Sequence, residues 1–176
     1  MGKAGSGKDT VAAHLVAAHG YTRLAFADPL KDMALEVDPF VQLVGGEAIR
    51  LSRVVALHGW DRAKEWCPEV RRLLQHMGQG VRQRDRSFWI RALLRAAVQI
   101  RGPIVVTDVR YLNEYAAMQR AGFSTVRVTR PGAGLVGAAG SHHSETELDD
   151  ARTTSAVLND GSLDLLRARV DQLFSL

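Results

Sequence analysis

Seven residues near the head of the chain, Gly2-Lys3-Ala4-Gly5-Ser6-Gly7-Lys8, restrict the fold more than any other feature. They match the spacing G-x-x-x-x-G-K and run straight into a helical pattern with Val11, Leu15 and Ala18 on one face and Gly20 as its stop. Glycines at these points let successive backbone N–H groups converge on an anion. The helix N-terminus behind them adds partial positive charge, and Lys8 adds a full one aimed at β- and γ-phosphates. Gly5, Ser6, Gly7, Lys8, Asp9 and Thr10 are therefore the expected contacts of a nucleoside triphosphate. The residue after the lysine is usually Ser or Thr, whose hydroxyl touches Mg²⁺; here it is Asp9. Asp9 could hold the metal through a water, leaving Thr10 for the α-phosphate. Such a loop normally follows a central strand. Only Met1 precedes it here, so the expectation is a start upstream, with a short Val/Ile-rich stretch feeding the sheet.

Beyond the loop, strand-like and helix-like patterns alternate. Residues 21–26 read as a strand, and Asp28-Pro29 as the N-cap and first turn of a helix bearing Leu30, Met33, Ala34 and Val37. Residues 38–67 are the least regular. Pro68 opens a helix read to end at Gly78, and Ser87 opens another. Ile104-Val105-Val106 is a buried-strand run closing at Asp108, followed by a helix stopped at Gly122. Residues 124–129 and 156–158 read as strands and 163–174 as a last helix. This alternation implies an α/β fold with a parallel sheet. All 176 residues fit one domain, with residues 38–100 as helical acceptor-binding and lid insertions.

The composition excludes several classes. Hydrophobic residues make up 46% and charged residues 24%, which argues against disorder. No apolar run approaches the roughly 20 residues of a membrane span, and no signal-peptide pattern opens the chain. The lone Cys67 cannot support a disulfide framework or a Cys-based zinc site and reads as a packed thiol. The expected setting is a reducing cytoplasm.

The net charge of +4 conceals an uneven distribution. From Arg71 to Arg101 there are eight arginines and one acid, Asp85. Such clustering suits phosphate groups, which arginine's planar fork grips in pairs of hydrogen bonds. Transfer of a phosphoryl group to a phosphate needs no strong base, because the acceptor oxygen is already anionic. Catalysis is then positioning and charge cancellation. Arg71 and Arg72 lie beside the apolar stripe of their helix, so at least one can project into a cleft, while Arg82, Arg84 and Arg86 could belong to a lid. Asp108 closes a strand at the end where open α/β sheets bind ligands, with Arg110 and Glu114 on the same rim. Lys8, Arg71, Asp108 and Arg110 are the candidate catalytic set.

At these residues the chain resembles the bacteriophage deoxynucleoside monophosphate kinases, a branch of the adenylate-kinase-like P-loop kinases. The likeness rests on GKAGSGKDT (2–10), AFADPLK (25–31), VRRLLQHMG (70–78), Phe88-Trp89, DVRYLNE (108–114), VTRPG (128–132), HHSE (142–145) and NDGSL (159–163). It implies a three-layer fold about a central parallel sheet, and transfer of the ATP γ-phosphate, with Mg²⁺, to a deoxynucleoside monophosphate. It also implies that Lys31, Arg71, Gly78, Trp89, Asp108, Arg110 and Glu114 contact the acceptor, with Trp89 facing its base; Arg62 is a further acceptor candidate. Arg130 and the loop from Asn159 would flank the adenine of ATP. His142 falls on a family position whose role does not follow from chemistry. The family often has Gly-Thr where this chain has Gly78-Gln79.

Two other readings fit parts of the sequence. One is a P-loop kinase for another small acceptor, such as dephospho-coenzyme A or a sugar acid. The other is a non-catalytic nucleotide- or nucleic-acid-binding module built on the arginine stretch. No nucleic-acid motif accompanies those charges, and aromatics are 6%, so no stable nucleic-acid partner is expected. A homodimer is compatible with everything in the sequence.

Overall fold

A computed structural model describes residues 1–134 and 146–174. The chain divides into two compact units, Met1–Ala25 together with Leu94–Leu176, and Phe26–Leu93.

The first unit carries the parallel pairing that the alternation predicts. Helix α1 (Lys8–His19) follows the glycine loop and ends at Gly20, whose φ of 67° lets its N–H close on Leu15. Strand β1 (Thr22–Leu24) pairs in parallel with β4 (Ile104–Val106), and β5 (Val126–Thr129) with β6 (Ser155–Leu158). Helix α6 (Leu112–Arg120) connects β4 to β5, and α7 (Leu163–Phe174) follows β6. Helices α1 and α7 bury Val11, Leu15, Leu166 and Val170 with Val128 and Val157 of the strands in one apolar cluster. Burial of such side chains contributes on the order of 1.5–3 kcal/mol each, which is what fixes α1 against the β5–β6 pair.

The second unit departs from the sequence reading in two places. Residues 38–67, read as irregular, contain an antiparallel hairpin of β2 (Phe40–Gln42) and β3 (Ala48–Arg50) followed by α3 (Leu51–Trp66). Three-residue strands give too little alternation to register as strands. Gly59, at φ 68° and ψ 166°, breaks α3 into two helical pieces, and that break hides the helical period. The other departure is helix α4 (Pro68–Arg84), which runs through Gly78 instead of stopping there. An interior glycine costs only about 1 kcal/mol relative to alanine. The burial of Val70, with Leu73, Leu74 and Met77 packed on the same cluster, outweighs that cost. A Cβ at Gly78 would stand 3.2 Å from Leu30 Cδ2, so the small residue serves helix packing. Helix α2 (Ala27–Val37) starts one residue earlier than the expected Asp28 cap. The Asp28 carboxylate instead accepts from Lys31 Nζ at 3.3 Å within the first turn. Helix α5 (Phe88–Ala97) matches its expected span.

Met1 is bonded as a strand residue. Its α-amino group donates to the Val126 carbonyl at 2.6 Å, and the Val128 N–H donates to the Met1 carbonyl at 2.8 Å. These are the two slanted bonds of a parallel bridge opposite Arg127. Beside Met1 lies a groove of about 530 Å³, lined on one side by Ile104, Val105 and Val106 and on the other by Phe123, Val126 and Val128. Among the described residues, β4 and β5 are not paired with each other.

Burial lowers the Met1 ammonium from its ordinary value to about 6, with repulsion from Lys8 and then Arg127 adding to the effect. An amine whose pKa falls on folding binds more protons when unfolded, so stability rises with pH between the two values. A chain starting at Met1 is therefore expected to gain about 2 kcal/mol between pH 6 and pH 8 in urea unfolding. Acetylating the α-amino group keeps the N–H donor, removes the charge, and should flatten that dependence. An unchanged slope after acetylation would contradict it.

Candidate functional site

The glycine loop holds its shape through backbone conformations that only glycine adopts readily. Gly2, Gly5 and Gly7 have φ of 152°, 73° and 98°. Two of the three also leave no room for a side chain. A Cβ on Gly2 would lie 2.3 Å from the Val128 carbonyl oxygen, and one on Gly7 2.5 Å from Asn159 Nδ2. The Ser6 N–H donates to the Lys3 carbonyl at 3.1 Å, closing the loop, and Gly7 enters α1 with no side-chain cap. The first-turn N–H groups of α1 thus have no intrahelical partner and no side-chain cap among the described residues, the arrangement that binds anions.

Cations gather at this loop, and two of them, Lys3 and Arg127, are engaged. Lys3 pairs with Asp149 at 2.6 Å, and Arg127 Nη2 donates to the carbonyls of Leu148 and Ala151, both at 2.8 Å. Lys8 is half-buried and has no hydrogen bond or ion pair among the described residues. Ser6 is 1% exposed, and its hydroxyl likewise has no hydrogen-bond partner among the described residues. A half-buried lysine, a buried hydroxyl without a partner among the described residues and a row of open amides in one place fit a phosphate chain.

Lys8 lines a cleft of about 50 Å³ together with Gly2, Asp108 and Arg110. Small-molecule pockets hold roughly 300–1,000 Å³, so this cleft suits the end of a phosphate chain and not a whole nucleotide. Asp108 follows β4 and is half-buried; Arg110 is exposed. Glu114, 3% exposed, accepts from the backbone amides of Arg110 at 3.0 Å and Tyr111 at 3.2 Å. Its carboxylate therefore holds the turn that carries Arg110. Asp9 and Thr10 are exposed in the first turn of α1.

Asn159 takes a part the sequence did not reveal. Its Nδ2 donates to the Ser6 carbonyl at 2.9 Å, and its N–H donates to the Thr129 carbonyl at 2.7 Å. It ties the phosphate loop to the ends of β5 and β6. An Asn opening a turn after a strand gives no sign of such a partner 153 positions away. Arg130, at the end of β5, is exposed and has no partner among the described residues. Arg127 was also missed, because its neighbours read simply as an alternating strand. His142 lies outside the described residues.

The remaining predicted residues belong to the second unit. On α4, Arg71 and Arg72 are both exposed, but Arg72 pairs with Glu69 at 2.7 Å while Arg71 has no partner among the described residues. Two hydrogen bonds, from the Gln42 N–H and then Arg72, hold the Glu69 carboxyl below its ordinary range. Trp89 is 6% exposed, donates from Nε1 to the Gly78 carbonyl at 3.2 Å, and meets Phe88 edge-on at 4.8 Å. Lys31 is bonded to Asp28, as described above. Arg62 is exposed beyond the α3 break and also unpartnered among the described residues. Of the lid candidates, Arg82 and Arg84 lie in the last turn of α4 and Arg86 just beyond it.

No helix among the described residues is long and apolar enough to cross a membrane. Comparison with solved structures finds TT1252 from Thermus thermophilus, at 27% identity over 99% of this chain and 94% of that one, with a TM-score of 0.47. Two viral proteins are similar in sequence. One is the uncharacterized protein ORF77 of Ictalurid herpesvirus 1, 32% identical over 85% of this chain and 68% of its own length. The other, from Acanthamoeba polyphaga mimivirus, bears the name "Putative deoxynucleotide monophosphate kinase" and is 27% identical over 90% of this chain and 84% of its own. The family model for deoxynucleotide monophosphate kinase matches residues 48–170. The phosphate loop at residues 2–8 lies outside that match and points to nucleotide chemistry independently. This chain belongs to the deoxynucleotide monophosphate kinase family.

Proposed function

We propose that the protein transfers the γ-phosphoryl group of ATP to the phosphate of a deoxynucleoside monophosphate, releasing ADP and a deoxynucleoside diphosphate, in the cytoplasm, a host's if the chain is phage-encoded. The observation that carries this reading is Lys8, unpaired among the described residues at the first position of α1, sharing a cleft with Asp108 and Arg110.

A P–O bond forms between an acceptor phosphate oxygen and the γ-phosphorus as the bond to the β-phosphate oxygen breaks. The acceptor is anionic already, so the site's task is to hold two polyanions in line and offset their repulsion. The amides of Gly5–Thr10 and the Lys8 ammonium take the triphosphate, with the Ser6 hydroxyl available beneath it. Arg130 and the turn at Asn159 flank the adenine. Mg²⁺, when bound with the nucleotide, offsets phosphate charge, and Asp108 and Asp9 (the latter through water) are the oxygen donors that suit it. Arg71 takes the acceptor phosphate, because its fork is unspent where that of Arg72 is not. Lys31, Arg62, Gly78, Trp89, Asp108 and Arg110 complete the acceptor set, and Glu114 acts by fixing the Arg110 backbone. Trp89, anchored on Gly78, serves as an apolar wall for the base.

In this reading the groove beside Met1 is the seat of one further parallel strand, which enters the loop through Met1 and joins β4 to β5 in a central sheet. An N-terminal extension of about five Val/Ile-type residues should then raise the melting midpoint by several degrees, as expected for roughly 2 kcal/mol. An extension that leaves the midpoint unchanged or lowers it would count against the strand.

The activity is tested by ADP release with ATP, Mg²⁺ and each of dGMP, dTMP, dCMP and dAMP, with dephospho-coenzyme A as the competing acceptor. Turnover on at least one nucleotide is expected; a folded protein inactive on all four would refute the proposal. Lys8→Ala should lower kcat by about 10²–10³-fold, the scale of a lost charge-stabilising donor. Arg71→Ala should raise the acceptor KM by about 10-fold or more, as for loss of a charged hydrogen bond, while Arg72→Ala stays near wild type. Equal effects of the two arginine substitutions would remove the assignment of Arg71.

A further inference from the structure

Helices α1 and α7 meet at a cluster of polar groups that the nucleotide chemistry does not use. His14 and His19, on α1, both direct Nε2 at the same carboxylate oxygen of Asp171 on α7, at 2.6 and 2.7 Å. The three ligand atoms lie within 4.8 Å of one another, and the two imidazole rings meet edge-on with centroids 5.6 Å apart. Both imidazoles hold the Asp171 carboxyl below its ordinary range, His19 more than His14.

We propose that His14, His19 and Asp171 form a binding site for a divalent transition-metal ion of the Zn²⁺ type. Two imidazole nitrogens and one carboxylate oxygen are a ligand set that suits Zn²⁺, Co²⁺ or Ni²⁺, whereas Mg²⁺ takes oxygen ligands. The donor atoms are close enough to share one ion. At metal–ligand distances of about 2.0–2.1 Å, tetrahedral ligands stand roughly 3.3 Å apart. Each nitrogen must therefore draw back from the Asp171 oxygen by roughly 0.6–0.7 Å, and the two nitrogens, within 4.8 Å of each other, must settle to the same spacing. The ion takes the place of hydrogen between the imidazoles and the carboxylate: each ring binds it through a bare Nε2 with its single proton on Nδ1, and any second ring proton is released to solvent. The side chains of His14, His19 and Asp171 are 15%, 29% and 47% exposed, which leaves an entry path and a fourth position for water. His19 is the last residue of α1, where the negative end of the helix dipole favours a cation.

The site stands apart from the phosphate loop. Lys8 opens α1 and His19 closes it, a separation of about 16 Å along the helix axis. A bound ion would link α1, which carries the phosphate loop, to α7, which follows the turn of Asn159. Its role is to fasten these two helices, with no part in the transfer chemistry.

The test uses the full chain without an affinity tag, freed of metal by chelation. Zn²⁺ is titrated against a chromophoric chelator, and Co²⁺ is followed by its visible d–d absorption. One ion per chain is expected, with the intense absorption of tetrahedral Co²⁺. His19→Ala and Asp171→Asn, the two more exposed members, should each weaken Zn²⁺ binding by at least about tenfold. The melting midpoint should rise with Zn²⁺ in the wild type, not with Mg²⁺, and the rise should vanish in both variants. Matching metal-free melting midpoints for wild type and variants would show that the fold survives the substitutions; if one variant unfolds, the other decides. Absence of saturable binding at micromolar Zn²⁺ would overturn the proposal and leave the cluster as a hydrogen-bonded fastening. Undiminished binding in both variants would also overturn it, placing the ion elsewhere, such as at His142-His143.

Discussion

The hydrogen bond from the Asn159 amide to the Ser6 carbonyl is the constraint on which the site depends. A loop with three positive-φ glycines has no regular ladder of its own, and left alone it would sample many shapes. Asn159 grips it from one side, while the Met1–β5 bridge holds its entry. Gly7 must be glycine partly because the Asn159 amide occupies the space a Cβ would need. The loop's ordering is thus supplied by β5, β6 and the turn after β6, so a ligand meets amides that already converge.

Charge is distributed to leave attraction where the phosphate chain is expected. Lys3 is tied to Asp149, and Arg127 to backbone carbonyls of the same 148–151 segment. Glu147, the residue before that segment, accepts the Leu112 N–H at 2.8 Å and so steadies the start of α6. Lys8 is left over. In the second unit Arg72 is spent on Glu69 and Arg91 on Asp85, while Arg71 and Arg62 keep their donors among the described residues. Exposed pairs of this kind contribute little to stability, but they separate structural cations from those available to a ligand.

The sequence was most readable where chemistry and periodicity coincide. The G-x-x-x-x-G-K spacing named the loop, and the apolar run closing at Asp108 brought Lys8, Asp108 and Arg110 to one cleft. Parallel pairing, though not which strands pair, followed from the alternation of strand and helix; the pairs are β1 with β4 and β5 with β6. What escaped was set by contacts distant in sequence. The Gly78 side of α4 is chosen by Leu30, and Asn159 and Arg127 find their partners across the chain. The β2–β3 hairpin was hidden because three-residue strands leave too short an alternation to read.

The account rests on the claim that the triphosphate is held by the backbone at the head of α1, and not by the arginine-rich stretch. Amide chemical shifts of the ¹⁵N-labelled protein under titration with ATP test this directly. The account predicts saturable shifts at Gly5, Gly7, Lys8, Asp9 and Thr10, lost in Lys8→Ala. Shifts confined to residues 71–101, or none in the loop at saturating ATP, would contradict it.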